Sequence, residues 1–125
     1  MEKTIFKSEL NVMEVLWASG DMTAKEISLI LTDTIGWNKA TTYTIIKRLV
    51  EKGLIQRLGF DFTCHATITR EDAVRIEFEV LAEKMFGGSS KKLIEALLFA
   101  QKIEPENLTA FLQSDASGES SDLSA

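Results

Sequence analysis

Apolar positions along most of this chain recur at the spacing of a helix, and in one stretch they alternate like a strand. Leu10, Val12, Met13, Leu16 and Trp17 form a first helical stripe, entered from Ser8 as a serine N-cap and broken at Gly20-Asp21. Thr23-Ala24-Lys25-Glu26 has the capping-box form, and Ile27, Ile30 and Leu31 carry a second helix up to Asp33–Gly36. In the next segment Thr42, Ile45, Ile46, Leu49 and Val50 share one face, which predicts a third helix packed inward and stopped by Gly53. Leu54-Ile55-Gln56-Arg57-Leu58 and residues 60–68 flank Gly59 as a hairpin. Its second strand alternates Phe60, Phe62, Cys64, Ala66 and Ile68 on a buried face against Asp61, Thr63, His65 and Thr67. Thr69 caps a long fourth helix, broken at Gly87-Gly88-Ser89-Ser90. An apolar segment from Leu93 to Ala100 follows, and Pro105 opens a last short helix.

The third helix carries the functional signal. Opposite its apolar face lie Thr41, Tyr43, Thr44, Lys47, Arg48 and Glu51, hydroxyls and cations with almost no acid between them. Such a face suits phosphate oxygens and the acceptor-rich edges of DNA bases. Charged helix faces are often merely solvated. Here, however, two short helices precede this one and a hairpin follows it, which is the order of a winged helix-turn-helix. The expected fold is mostly α with a small β-hairpin: a winged helix-turn-helix DNA-binding domain over 1–69, a helical dimerisation region over 70–113 and a disordered tail over 114–125.

Charge refines this picture. The net charge is −5 over 125 residues, but residues 1–58 hold eight Lys/Arg against seven Asp/Glu, and residues 59–125 hold six against twelve. Within 37–58, Lys39, Lys47, Arg48, Lys52 and Arg57 face Glu51 alone, so the basic patch is local. Arg57 is the only cation of the hairpin.

The second half is too apolar for so small a separate core. Phe78, Leu81, Met85, Phe86, Leu97, Leu98 and Phe111 are the expected dimerisation residues, and a two-fold pair supplies the two recognition helices a palindromic operator requires.

Other chemistries find little support. The single cysteine excludes an internal disulfide; nothing at the N-terminus resembles a signal peptide and no apolar run approaches bilayer-spanning length, so a cytoplasmic protein is expected. Cys64 and His65 point to opposite faces of a strand, so no metal site and no cofactor are expected. Acid pairs such as Glu71-Asp72 and Glu77/Glu79 come with no nucleophile–base constellation, so the chain is not expected to be an enzyme.

Taken together, Val12-Met13-Glu14-Val15-Leu16-Trp17, Met22-Thr23-Ala24-Lys25-Glu26-Ile27, Gly36-Trp37, Ala40-Thr41-Thr42 and Lys47-Arg48-Leu49-Val50-Glu51-Lys52-Gly53-Leu54 closely resemble the penicillinase-repressor family. That family contains the β-lactamase and methicillin-resistance repressors and the copper-responsive repressors of Gram-positive bacteria. The likeness runs on through Phe86-Gly87-Gly88-Ser89 and Leu97-Leu98 to about residue 112. It implies repression by a homodimer at inverted repeats of the TACA/TGTA type. Carried across by position, it places Lys39, Ala40, Thr41, Tyr43, Thr44, Lys47 and Arg48 toward DNA, with Thr23 and Lys25 near the backbone at the start of the second helix.

Three departures bear on the signal. The copper-responsive members carry C-terminal Cys-x-Cys pairs, and this tail has no cysteine. The β-lactam-responsive members are cut at an Asn-Phe bond, where this chain reads Glu95-Ala96-Leu97-Leu98-Phe99. The hairpin is also about two residues shorter than is usual in the family and poorer in basic residues. The Ala40-Thr41-Thr42 wording leans toward the copper-type members, so copper-responsive and β-lactam-responsive regulation both stay open. A different class of function, a winged-helix protein-interaction module without DNA binding, would use the acidic second half for a partner.

Overall fold

The computed structural model describes residues 4–115. The chain runs α1 (Lys7–Ser19), β1 (Met22–Thr23), α2 (Ala24–Ile35), α3 (Lys39–Glu51), β2 (Ile55–Leu58), β3 (Thr63–Ala66), α4 (Arg70–Phe86), α5 (Ser90–Ala100), a 3-10 turn (Pro105–Asn107) and α6 (Leu108–Asp115). It divides into two compact units, the first ending at Val80 and the second beginning at Leu81.

In the first unit, three helices pack on an antiparallel sheet of order β1-β3-β2, the architecture of a winged helix. Val12, Met13 and Leu16 of α1, Ala24, Ile27 and Leu31 of α2, Ile45, Ile46 and Leu49 of α3, and Leu54, Ile55 and Cys64 of the hairpin make one continuous core. The expected stripes are therefore the packed faces. Burying such side chains stabilises by about 1.5–3 kcal/mol each.

Several local expectations need correction. Ser8 does not cap α1: the helix starts at Lys7 with Phe6 as N-cap, and the Glu9 carboxylate accepts the Phe6 N–H at 2.9 Å. Glu9 therefore supplies the reach-back half of a capping box whose first residue has no side-chain oxygen. The strand β1 was not legible in the sequence. It pairs Met22 with Cys64 and Thr23 with Thr63, and it is only two residues long.

The hairpin turn is also longer than a lone Gly59. Leu58 pairs with Thr63, which leaves Gly59-Phe60-Asp61-Phe62 as the loop. Gly59 at φ 68° and Phe62 at φ 54° both lie in the left-handed region that reverses the chain. Phe60 is consequently fully exposed at the tip rather than on the buried strand face, while Cys64 is buried as expected.

The start of α4 lies in the first compact unit, which reaches Val80. Thr69 caps α4 by accepting the Asp72 N–H at 3.0 Å. Arg70 then forks onto both Glu14 oxygens at 3.1–3.2 Å, and the Trp17 indole N–H donates to the Ile68 carbonyl at 2.9 Å.

In the second unit the Ser89 hydroxyl caps α5 by accepting the Lys92 N–H, and Gly88 N–H closes the end of α4 on the Ala82 carbonyl. Pro105 opens the 3-10 turn that leads into α6. That last helix runs through Asp115, two residues into the expected tail; the rest of the tail, 116–125, lies outside the described residues. Among the described residues Ala82 and Leu93 are the only buried apolar side chains of this unit. Leu81, Met85, Ile94, Leu97, Phe99, Phe111 and Leu112 are exposed.

One core position is imperfect. Thr42 is fully buried in α3, and its hydroxyl has no hydrogen-bond partner among the described residues. Because an unpaired buried hydroxyl costs roughly 1–3 kcal/mol, the near-isosteric Thr42→Val should raise stability by about 1 kcal/mol. Chemical denaturation of the two proteins measures this; a loss of stability would show that the hydroxyl is satisfied.

Candidate nucleic-acid interface

The polar face of α3 is set by what anchors its opposite side. Gly36 ends α2 in the left-handed conformation, and the Thr32 hydroxyl donates to the Trp37 carbonyl at 2.6 Å, which fixes the turn into α3. Asn38 then caps α3, its side-chain oxygen accepting the Thr41 N–H at 2.8 Å. With Thr42, Ile45, Ile46 and Leu49 in the core, Lys39, Ala40, Thr41, Thr44, Lys47 and Arg48 are all exposed. Among the described residues Lys25, Lys39 and Lys47 make no ion pair, so their charge is available to an anion.

Tyr43, expected on the open face, is half-buried and has a second task. Its ring meets that of Phe62 edge-on, with centroids 6.3 Å apart at 86°. Lys39 Nζ lies 5.6 Å from the Tyr43 centroid, and the Arg57 guanidinium lies 4.2 Å from the Phe62 centroid. A cation–ring–ring–cation row therefore joins the first turns of α3 to the hairpin, with Lys39 at one end and Arg57 at the other. Thr23 caps α2 with its hydroxyl on the Glu26 N–H at 3.1 Å and receives the Glu26 carboxylate on its own N–H at 2.8 Å, while Lys25 stands exposed beside it.

At the other end of α3 lies a feature that residue patterning did not reveal. Glu9 is fully buried between α1 and α3. Its Oε1 accepts from Lys52 Nζ at 2.7 Å and its Oε2 from Arg48 Nε at 3.3 Å. Lys52 also donates to the Thr4 carbonyl at 2.9 Å and sits 4.3 Å from the Phe6 ring centroid. It is thus withdrawn from the basic patch to which the sequence assigned it. Arg48 is tied by one edge only, and its side chain is 44% exposed.

Burial alone would raise the Glu9 carboxyl above its ordinary value. The Lys52 ammonium, the Phe6 N–H and Arg48 together outweigh it and hold the carboxyl below that value. A depressed folded-state pKa contributes stability that is complete above the unfolded value, ordinarily 4.5, and that is lost as pH falls through the folded value. Glu9→Gln should therefore cost about 2 kcal/mol at neutral pH, and the gap to wild type should narrow below about pH 4. Denaturation at a series of pH values checks this; a constant gap would contradict the ionic role.

Cys64 is inert by the same physics, its thiol pushed up to about 11 by burial despite Arg57 nearby. His65 Nδ1 lies 2.8 Å from Asp21 Oδ1. Among the described residues no group of three His, Cys, Asp or Glu side chains is placed to hold a metal ion.

Similarity to known proteins agrees with this geometry. The family model described as Penicillinase repressor matches residues 5–114. The chain is 22% identical over 111 residues to the penicillinase repressor of Bacillus licheniformis, covering 87% of each protein. It is 28% identical over 96 residues to a 16.5 kDa protein of Latilactobacillus sakei encoded in the ptsI 3′ region, covering 75% of this chain and 66% of that one. The solution structure of the DNA binding domain of the repressor BlaI superposes with a TM-score of 0.51 at 28% identity, over 58% of this chain and 90% of that domain. This chain, whose first unit is a winged helix with an acid-poor third helix and which the family model matches over residues 5–114, belongs to the penicillinase repressor family.

Proposed function

We propose that this chain is a DNA-binding transcriptional repressor that acts as a homodimer on an inverted-repeat operator of the TACA/TGTA type. The observation that carries the reading is the outer face of α3: Thr41, Thr44 and Lys47 exposed in one row, with no acid between Lys39 and Arg48. The N-terminal half of such a helix reads base edges, and its cations hold flanking phosphates. In this reading Ala40, Thr41, Tyr43 and Thr44 approach bases. Lys39, Lys47, Arg48 and the hairpin's Arg57 approach phosphates, with Thr23 and Lys25 near the backbone at the start of α2.

Dimerisation rests on the second half. Along α4, exposed Val74, Phe78, Leu81 and Met85 follow a 4-3-4 spacing, the repeat of a helix–helix seam. Phe86, Leu97, Leu98 and Phe111 add to the apolar surface of the second unit. Two copies sharing it would bury what one copy leaves in water, and a two-fold pair supplies the two α3 helices that an inverted repeat requires. No described helix is long and apolar enough to cross a membrane. A cytoplasmic location follows from the proposed operator.

Fluorescence titration of an inverted-repeat duplex at several salt concentrations tests the interface. Lys47→Ala should weaken binding to all sequences and lower the salt slope by about one. Thr44→Ala should relax discrimination by about 1–3 kcal/mol at one base pair of each half-site. Equal weakening on operator and scrambled duplex would make Thr44 a backbone contact.

Sedimentation equilibrium of the full chain tests assembly, with twice the chain mass expected. A monomer that stays a monomer on the duplex would contradict the two-fold arrangement.

A further inference from the structure

The structure assigns to Glu9, a residue that touches no outer surface, the positioning of Arg48 for a phosphate contact; this rests on the DNA-binding reading above. The argument begins with the way the two cations divide one carboxylate. Lys52 takes Oε1 at 2.7 Å and has only 17% of its side chain exposed, because the Thr4 carbonyl and the Phe6 ring occupy the rest of it. Its charge is used up in balancing Glu9. Arg48 takes Oε2 through Nε alone at 3.3 Å, with its side chain 44% exposed.

A guanidinium has five donors in a fixed plane. With Nε on Glu9 and Nη2 donating a long bond to Ser8 Oγ at 3.5 Å, Nη1 and the second Nη2 proton are left for an oxyanion. The cluster of one carboxylate and two cations keeps a net positive charge, and that charge lies at the exposed Arg48 end. A long arginine on a helix face is otherwise free to sample many rotamers, and fixing it beforehand removes part of the entropic cost of binding. A buried carboxylate behind an arginine therefore acts as a buttress. It orients the fork toward an oxyanion lying between Ser8 of α1 and the last turns of α3, where a backbone phosphate flanking the half-site would sit.

Simple electrostatics predicts the opposite sign, which makes the inference testable. Glu9→Gln makes the chain one unit less negative, so a purely long-range effect would tighten DNA binding. Buttressing predicts weaker binding, with the salt slope shallower by about one phosphate contact. Arg48→Lys keeps the charge but cannot hold Glu9 and a phosphate at once, so it should weaken binding several-fold and also flatten the slope.

The test is a salt-dependent titration of full-length wild type, Glu9→Gln and Arg48→Lys against the inverted-repeat duplex, with melting curves confirming folded protein. Shallower slopes in both variants support the buttress. Should Glu9→Gln not fold, Arg48→Lys decides alone. Tighter binding by Glu9→Gln, or an unchanged slope in Arg48→Lys, overturns it. A wild-type chain that ignores the duplex at every salt concentration instead overturns the DNA-binding reading itself.

Discussion

A charge taken out of water must be met by opposite charge, and in this protein that demand sets how the third helix is seated. Removing either partner from a buried ion pair costs several kcal/mol in typical cases, so a buried carboxylate selects arrangements that bring cations to it. Glu9 lies wholly inside the contact between α1 and α3 and draws both Lys52 and Arg48. Apolar packing of Ile45, Ile46 and Leu49 would tolerate small rotations of α3 about its axis. Two cations one turn apart on a single carboxylate would not. The rotation that satisfies Glu9 is also the one that leaves Thr41, Thr44 and Lys47 outside.

The two ends of α3 are anchored by different physics. Near its start, the Tyr43–Phe62 contact and the flanking cations Lys39 and Arg57 join helix to hairpin through weak, polarizable interactions. Near its end the anchoring is ionic. Tyr43 and Arg48, which join α3 to the hairpin and to α1, also lie beside the face proposed to meet DNA, so substitutions there will mix folding with binding. The second unit has a different economy: with Ala82 and Leu93 as its buried apolar residues among those described, it leaves most of its large side chains in water. That is the physical basis for proposing a role for it in assembly.

Much of this was legible in the chain because helix periodicity and caps are local. The stripe of α3, the capping box of Thr23 and Glu26, the Thr69 cap and the glycine punctuation can all be read from neighbours in sequence. What escaped depends on distant residues. Glu9 looks like an ordinary surface acid in a first turn, since its partners lie 39 and 43 positions away. Lys52 looks like part of the basic patch for the same reason. A strand of two residues such as β1 carries no pattern at all. The alternation that would bury Phe60 is interrupted by a four-residue turn ending at Phe62 with φ 54°. Tyr43 reads as an open-face residue in sequence because its aromatic partner comes from the hairpin.

The account's central claim is that the outer face of α3 is the surface that meets nucleic acid. Backbone amide shifts of isotope-labelled full-length protein, followed by NMR as inverted-repeat duplex is added, test it residue by residue. The account predicts the largest perturbations over Lys39–Arg48, with smaller ones at Thr23, Lys25 and Arg57. Perturbations confined to residues 81–115, with α3 unchanged at saturating duplex, would contradict it.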